Sequence, residues 1–306
     1  MSYETVRVFV GADRSQALAV DVLAYSIRRH TAMDVEVTSM ADLTLPEPRD
    51  IRQGSRTNFS FARFAIPGLC DYKGKAIYMD ADMQVFKDIR SLWTLPFEGA
   101  EKVQILEDVP EEFQPKEGQL GAPKQRKKQS SVMLLDCSRL NWVVEDIIKG
   151  LDGDYTYDEL LSDLCILKPH EVGYRVPFIW NSLETHVPGV TALTHYTDMF
   201  IQPWVSTENP IGHVWLNEVR RMLSEGALQW SQIEEEIRLG YFRPSLVEEL
   251  KSNEDLSVPD PERQSRLVRI DEAAGFEKHA DVYRKKRERK QAIKAYEQKL
   301  AAGAAA

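Results

Sequence analysis

The opening of the chain most constrains its fold. Val6 to Ala12 is β-branched and aromatic and ends in Gly11-Ala12-Asp13; apolar residues then recur at helical spacing from Gln16 to His30 (Ala17, Val20, Leu23, Ala24, Ile27). The first pattern reads as a strand and the second as an amphipathic helix, so the chain begins strand, acidic turn, helix. Asp34 to Thr38 alternates like a second strand, and Phe59 to Leu69 carries Phe61, Phe64, Ala65 and Leu69 near one helical face before Gly74 restarts the chain. Strands interleaved with helices predict an α/β domain with a mostly parallel central sheet flanked by helices.

Lys75 to Met79 is the next strand, and it runs directly into Asp80-Ala81-Asp82, followed by the apolar residues Met83, Val85 and Phe86. In open α/β sheets ligands bind beyond the carboxyl ends of the strands, so chemistry is expected at this acidic pair. Val103 to Leu106 is a further short strand ending in Glu107-Asp108. From Val109 to Gln129 the composition shifts to Pro, Gly, Glu, Gln and Lys, the pattern of a long binding or lid loop. Ser131 to Leu135 returns to a strand with Asp136 at its end. A helix follows from about Leu140 to Gly150, and a last sheet element spans Thr191 to His195.

After Trp204 the pattern is helical over Gly212 to Leu223, Trp230 to Leu239 and Ser245 to Lys251. Asn253 to Arg263, with Pro259 and Pro261, reads as a linker. Tyr283 to Leu300 is a basic helix containing Arg284-Lys285-Lys286-Arg287-Glu288-Arg289-Lys290, before a low-complexity end at Ala301 to Ala306. The expected division is a main domain over residues 1–225 and a helical region with a basic tail over 226–306.

With 306 residues, 43% hydrophobic and 28% charged, the chain has enough apolar side chains for a sizeable core, which excludes disordered and collagenous classes. Cys70, Cys137 and Cys165 are sparse and have no close pair in sequence. They argue against a disulfide framework and a cysteine zinc site, and for a reducing compartment. The N-terminus lacks a signal-peptide pattern, so a cytoplasmic protein is expected, and no apolar run is long enough for a membrane helix, so any membrane contact would be peripheral. With 48 acidic and 39 basic residues the net charge is -9, and no nucleic-acid partner is expected.

Alternate residues of an extended segment share a side, so Asp80 and Asp82 can offer two carboxylates to one hard cation. A divalent ion there would neutralise a diphosphate leaving group, on which charge builds as the bond to a sugar breaks. A bare Asp-x-Asp is more often a pair of solvated turn aspartates. Its place between a strand and an apolar run reverses that preference.

Several segments stand in order along the chain: Val8-Phe9-Val10-Gly11-Ala12-Asp13, Phe61-Ala62-Arg63-Phe64-Ala65-Ile66-Pro67, Ile77-Tyr78-Met79-Asp80-Ala81-Asp82, Ser130-Ser131-Val132-Met133-Leu134-Leu135-Asp136, Trp180-Asn181, His195-Tyr196 and Gln202-Pro203-Trp204. Together they resemble glycosyltransferase family 8, which contains glycogenin and bacterial lipopolysaccharide galactosyl- and glucosyltransferases, over roughly residues 6 to 215. The resemblance implies a GT-A fold, a UDP-sugar donor, Mn2+ (or Mg2+) held by Asp80, Asp82 and His195, and hexose transfer with retention of configuration. A histidine added to two carboxylates suits Mn2+, whereas an all-oxygen set suits Mg2+ or Ca2+ better. By the same resemblance Gly11, Ala12 and Asp13 line the uracil and ribose pocket, Arg63 reaches the donor, and Ala81 presents its backbone to the nucleotide.

The chain also departs from the family pattern. Gln129-Ser130-Ser131 stands where many members have Asn-Ser-Gly or Asn-Ala-Gly, so Gln129 inherits the donor-sugar contact or the contact is lost. Gln16 stands where an aromatic residue often lies near the uracil. Gln202, in Met199-Phe200-Ile201-Gln202-Pro203-Trp204, replaces the usual diphosphate lysine, and Leu161-Ser162-Asp163 keeps only the last carboxylate of the Asp-Gln-Asp segment near the reacting carbon. Asp163 reads equally well as a polar position on an amphipathic helix.

Retention needs either a covalent glycosyl-enzyme or a same-face route in which the departing phosphate helps deprotonate the acceptor. No carboxylate is placed clearly enough to be the nucleophile, which favours the same-face route, with Glu107, Asp108 and Asp163 as candidates for orienting sugar hydroxyls. The acceptor class implied is a glycan or glycolipid, and the basic helix could meet an anionic membrane surface or simply be a solvated face. The competing reading is a non-catalytic nucleotide-sugar-binding or interaction protein, motivated by Gln129, Gln202 and Ser162.

Overall fold

Residues 5–57, 59–106, 111 and 130–304 are described in a computed structural model of the chain. Six strands form the central sheet: β1 (Val6–Gly11), β2 (Val35–Ser39), β3 (Lys75–Asp80), β5 (Val103–Leu106), β6 (Val132–Asp136) and β7 (Val172–Val176), in the order β2-β1-β3-β6-β5-β7. β1 is parallel to β2 and β3, and β5 is parallel to β7, while β6 runs antiparallel to both of its neighbours. The α/β class and the mostly parallel sheet expected from the sequence are therefore present. Strand direction is set by the connections rather than by the residues of the strand, which is why β6 looked like the others.

The strands are apolar on both faces because both faces are covered. Val8, Val10, Ile77 and Met79 pack on one side with Val20, Leu23 and Ile27 of helix α1 (Ala17–Arg29). Phe9, Ala76 and Tyr78 pack on the other with Phe61, Phe64, Trp142 and Leu160. Burying side chains of this size contributes about 1.5–3 kcal/mol each, so the two layers fix where the ends of β1 and β3 lie.

A second, three-stranded sheet was not legible in the sequence. β4 (Met83–Val85) pairs antiparallel with β9 (Leu193–His195), which pairs in parallel with β8 (Ser182–Leu183). The apolar run after Asp82 is thus a strand of its own, and the element expected at Thr191 to His195 joins it rather than the main sheet.

The remaining helices correct several expected bounds. The segment expected as a helix from Phe59 to Leu69 is a 3-10 turn at Ala62–Ala65 followed by the short α2 (Ile66–Leu69), with Pro67 in its first turn. Between the strands stand α3 (Arg90–Trp93), α4 (Val144–Gly150), which starts four residues later than expected, and α5 (Tyr157–Asp163), which Thr156 and Glu159 cap reciprocally. The C-terminal third contains α6 (Gly212–Ser224), α7 (Trp230–Arg238), α8 (Leu246–Lys251), α9 (Pro261–Ala273) and α10 (Ala280–Ala304). The linker expected through Arg263 yields to α9 at Pro261, where a proline's missing N–H costs nothing.

These helices pack on the main sheet's own helix. Leu18 and Val22 of α1 join Trp204, Trp215, Phe242 and Leu246 in a third core, framed by Arg14–Glu236 (2.8 Å) and Arg29–Glu218 (2.9 Å). Arg243 is fully buried and pairs with Glu249, while its Nε donates to Pro203 O at 3.1 Å. The basic helix α10 lies along the domain. Tyr283 stacks on Phe200 at 5.7 Å, Arg289 Nη2 donates to Arg52 O and Gly54 O at 3.1 Å each, and the Arg52 guanidinium sits 5.9 Å from the Tyr296 ring centroid. No helix of the described residues is long and apolar enough to cross a membrane.

Candidate metal centre

The site is built where the two sheets meet. Asp80 ends β3, the Ala81 N–H donates to Gly11 O at 3.1 Å, and Met83 opens β4 directly opposite His195 in β9. The Tyr196 N–H donates to Asp82 O at 2.8 Å, so backbone pairing carries His195 to Asp82 across 113 positions of chain. His195 Nε2 lies 3.0 Å from Asp82 Oδ1 and 4.0 Å from Asp80 Oδ2. Each of the three residues has a ligand atom within 4.8 Å of the others'.

The surroundings orient all three side chains. Asn181, fully buried, accepts from His195 Nδ1–H at 2.9 Å and donates through Nδ2 to Ser131 Oγ at 3.0 Å, so Nε2 is the nitrogen turned to the carboxylates. This is the outer-sphere contact that fixes the ring of a metal-binding histidine. Gln202 Nε2 donates to Asp82 Oδ2 at 3.0 Å and to Tyr196 O at 2.9 Å. Tyr78 donates its hydroxyl to Asp80 Oδ1 at 2.6 Å and accepts from Arg63 Nη2 at 3.1 Å, with the guanidinium 4.4 Å from the Tyr78 ring centroid. Arg63 Nη1 also donates to Ser130 O and Oγ, at 2.6 and 3.0 Å.

Gly11 is part of the same construction. A Cβ there would overlap the Tyr78 hydroxyl and come 2.9 Å from its Cζ. The Gly11-Asp80 pairing across β1 and β3 therefore leaves room for the tyrosine that holds Asp80.

Electrostatics follow from burial and proximity. Burial raises the Asp80 carboxyl above its ordinary value, against the opposing pull of Arg63 and His195. Burial lowers the His195 imidazole, but the adjacent Asp82, its hydrogen bond and Asp80 outweigh that, and the net shift is upward. Burial drives the Tyr78 hydroxyl well above the usual phenol value despite Arg63. Two carboxylates that draw positive charge toward this pocket, together with the imidazole, form a donor set chemically suited to a divalent cation.

The structure brings together Asp80, Asp82, His195, Gln202, Ala81, Gly11 and Arg63. Ala12 is buried beside them, and Asp13 Oδ1 caps the turn at Arg14–Gln16 by accepting from the Ser15 N–H at 2.9 Å. Arg63 turns both Nη atoms to protein partners, and Gln202 spends its amide donor on Asp82. Asp163 is the exposed last residue of α5, whose Leu161 O accepts from Ser130 Oγ at 3.3 Å, a link from that helix end to the Arg63 cluster. Gln129, Glu107 and Asp108 lie outside the described residues.

Tyr78 and Asn181 carry no role in the sequence reading. Tyr78 was detectable, because it shares the alternation of Asp80 and Asp82. Asn181 had no local signal.

The sequence model described as "Glycosyl transferase family 8" matches residues 19–149, a span that includes Arg63, Asp80 and Asp82 but not His195 or Gln202. "Protein CDI" of Arabidopsis thaliana is 29% identical over 235 residues, covering 72% of this chain and 88% of that one. Solved structures with similar backbones include the WbbM bifunctional glycosyltransferase in its apo form (14% identity, TM-score 0.48, 72% of this chain and 50% of that one). Galactosyltransferase LgtC in complex with donor and acceptor sugar analogs gives 14% identity and TM-score 0.45 over 70% of this chain and 95% of that one. Glycosyltransferase GlyE of Streptococcus pneumoniae TIGR4, apo form, gives 16% and 0.48 over 78% and 64%. The chain thus spans half the length of WbbM. The resemblance carried by the ordered motifs is matched over residues 19–149, which are similar to the glycosyltransferase family 8 model.

Proposed function

We propose that the protein transfers a hexose, glucose or galactose, from a UDP-sugar to a hydroxyl of a glycan or glycolipid acceptor, with Mn2+ at Asp80, Asp82 and His195 and with retention of configuration. The observation that carries this reading is the convergence of those three side chains at the carboxyl end of β3, each oriented by a partner of its own. A bound cation would supply charge neutralisation for the diphosphate as the bond to the sugar breaks.

In this reading the chain's own residues hold and orient. Asn181 fixes the Nδ1 proton and so turns His195 Nε2 to the cation, Gln202 steadies Asp82, and Arg63 steadies Asp80 through Tyr78. Gly11, Ala12 and Asp13 form the nucleoside side of the site. Asp163 and Gln129 bind hydroxyls of the transferred sugar. The acceptor hydroxyl attacks from the face that UDP leaves, and a departing phosphate oxygen takes its proton, so no protein nucleophile is required. The exposed Lys285, Lys286, Arg287 and Lys290 of α10 provide the face on which an anionic glycolipid surface would be met.

Release of UDP from a panel of UDP-sugars tests the reading, run with Mn2+, with EDTA and with Asp82→Asn. Metal-dependent release from one sugar, absent in the variant, is expected. No release from any UDP-sugar, with or without glycan acceptors, would favour the non-catalytic alternative.

A further inference from the structure

The segment joining α9 to α10 docks on the loop that carries Gln202 of the site. Lys278 Nζ donates to Phe200 O at 3.0 Å and to Ser206 Oγ at 2.8 Å, and the neighbouring His279 imidazole bonds the Met199 backbone. Two consecutive side chains therefore clamp two consecutive carbonyls of the loop whose Gln202 holds Asp82. The Phe200-Tyr283 stack continues the contact one turn further along α10.

His279 sits there at a φ of 51°, a left-handed conformation that disfavours a histidine, and its Nε2 is buried without a hydrogen-bond partner. Strained backbone and an orphaned buried polar atom both cost free energy, and where they coincide beside a site a ligand contact is the economical explanation. The charges of both Asp13 and Asp82 reach this imidazole, and the loop it packs against carries Gln202, whose amide holds Asp82. A carbonyl only accepts, so Nδ1 carries the proton toward Met199 and Nε2 offers a lone pair. Burial, against the weaker pull of Met199, Asp13 and Asp82, holds the imidazole below its ordinary value and so neutral. A lone pair seeks a cation or an O–H group. The cation position is already formed by Asp80, Asp82 and His195, a cluster that does not include His279.

We propose that His279 Nε2 accepts a hydroxyl of the bound nucleotide sugar, making the start of α10 a wall of the donor site. The inference rests on the UDP-sugar reading above. A ribose hydroxyl and a hexose hydroxyl offer the same chemistry to this nitrogen.

Calorimetric titration of the full chain with UDP, UDP-glucose, UDP-galactose and inorganic pyrophosphate, all with Mn2+, tests it in wild type and in His279→Asn. Asparagine tolerates the left-handed backbone but is too short to reach. The expected loss is about tenfold, the worth of one such hydrogen bond, with pyrophosphate binding unchanged. A loss already seen with UDP assigns the contact to the ribose, and one confined to a UDP-sugar assigns it to the hexose. Equal losses for every ligand including pyrophosphate, or none at all, overturn the proposal while leaving the donor reading intact. Wild-type protein that binds neither UDP nor a UDP-sugar would overturn both.

Discussion

Asn181→Ala is the most informative perturbation of the metal centre, because it touches no ligand atom. Its Oδ1 is the partner of His195 Nδ1 at 2.9 Å and its Nδ2 that of Ser131 Oγ at 3.0 Å, and both Asn181 and His195 are buried. Truncation orphans an imidazole N–H, which costs about 1–3 kcal/mol when no water replaces the lost oxygen. It also frees the ring to rotate or to place its proton on Nε2, where the proton competes directly with a cation. Outer-sphere losses of this kind weaken metal binding about 10–100-fold. Titrating free Mn2+ by electron paramagnetic resonance, with UDP present, should therefore give a dissociation constant higher by that factor in Asn181→Ala, and a smaller change in Asn181→Asp, which still accepts from Nδ1–H. Unchanged Mn2+ affinity in Asn181→Ala would refute the claim that this contact orients the ligand.

Gly11→Ala should cost about 1–3 kcal/mol by overpacking against the Tyr78 ring, and it should weaken Mn2+ binding by pulling Tyr78 off Asp80; urea unfolding and the same titration read both. Arg243→Met strands the buried Glu249 carboxylate and should cost about 3–5 kcal/mol, whereas Arg243→Met with Glu249→Leu should recover most of that loss in the same unfolding assay. Burial opposes ionisation of Asp88, but the Thr31 hydroxyl at 2.6 Å and the Arg90 N–H at 2.9 Å hold its carboxyl below the ordinary value. A depressed carboxyl stabilises the fold above about pH 3.9 and loses that contribution as pH falls through the folded value, so the stability gap between wild type and Asp88→Asn should be full near neutrality and close in acid.

The legible part of this molecule was local. Asp80 and Asp82 stood out because a strand period of two puts both on one side at a strand end, and Phe61 and Phe64 marked the apolar face of the segment in which Arg63 is buried. What joins these pieces was not local. His195 lies in Leu193-Thr194-His195-Tyr196, a stretch with nothing to mark a ligand; only the family resemblance paired it with the aspartates, and the physical cause is the Met83-His195 register of a second sheet that no periodicity announced. β7 escaped notice because Gly173 and Arg175 break its apolar pattern. Gly173 is there because a Cβ would overlap the Gln104 side chain. Gln202 was seen as a lost lysine, whereas its geometry gives it a partner in Asp82. His279 was silent, since its meaning depends on where α10 docks and not on its sequence neighbours.

The central claim is that Asp80, Asp82 and His195 form one cation site that grips a nucleoside diphosphate. Calorimetry of Mn2+ binding in the presence and absence of UDP, in wild type, Asp82→Asn and His195→Asn, tests it most directly. One Mn2+ per chain, bound more tightly with UDP and lost in both variants, is the expected result. Mn2+ binding that is indifferent to UDP, or that survives both substitutions, would contradict it.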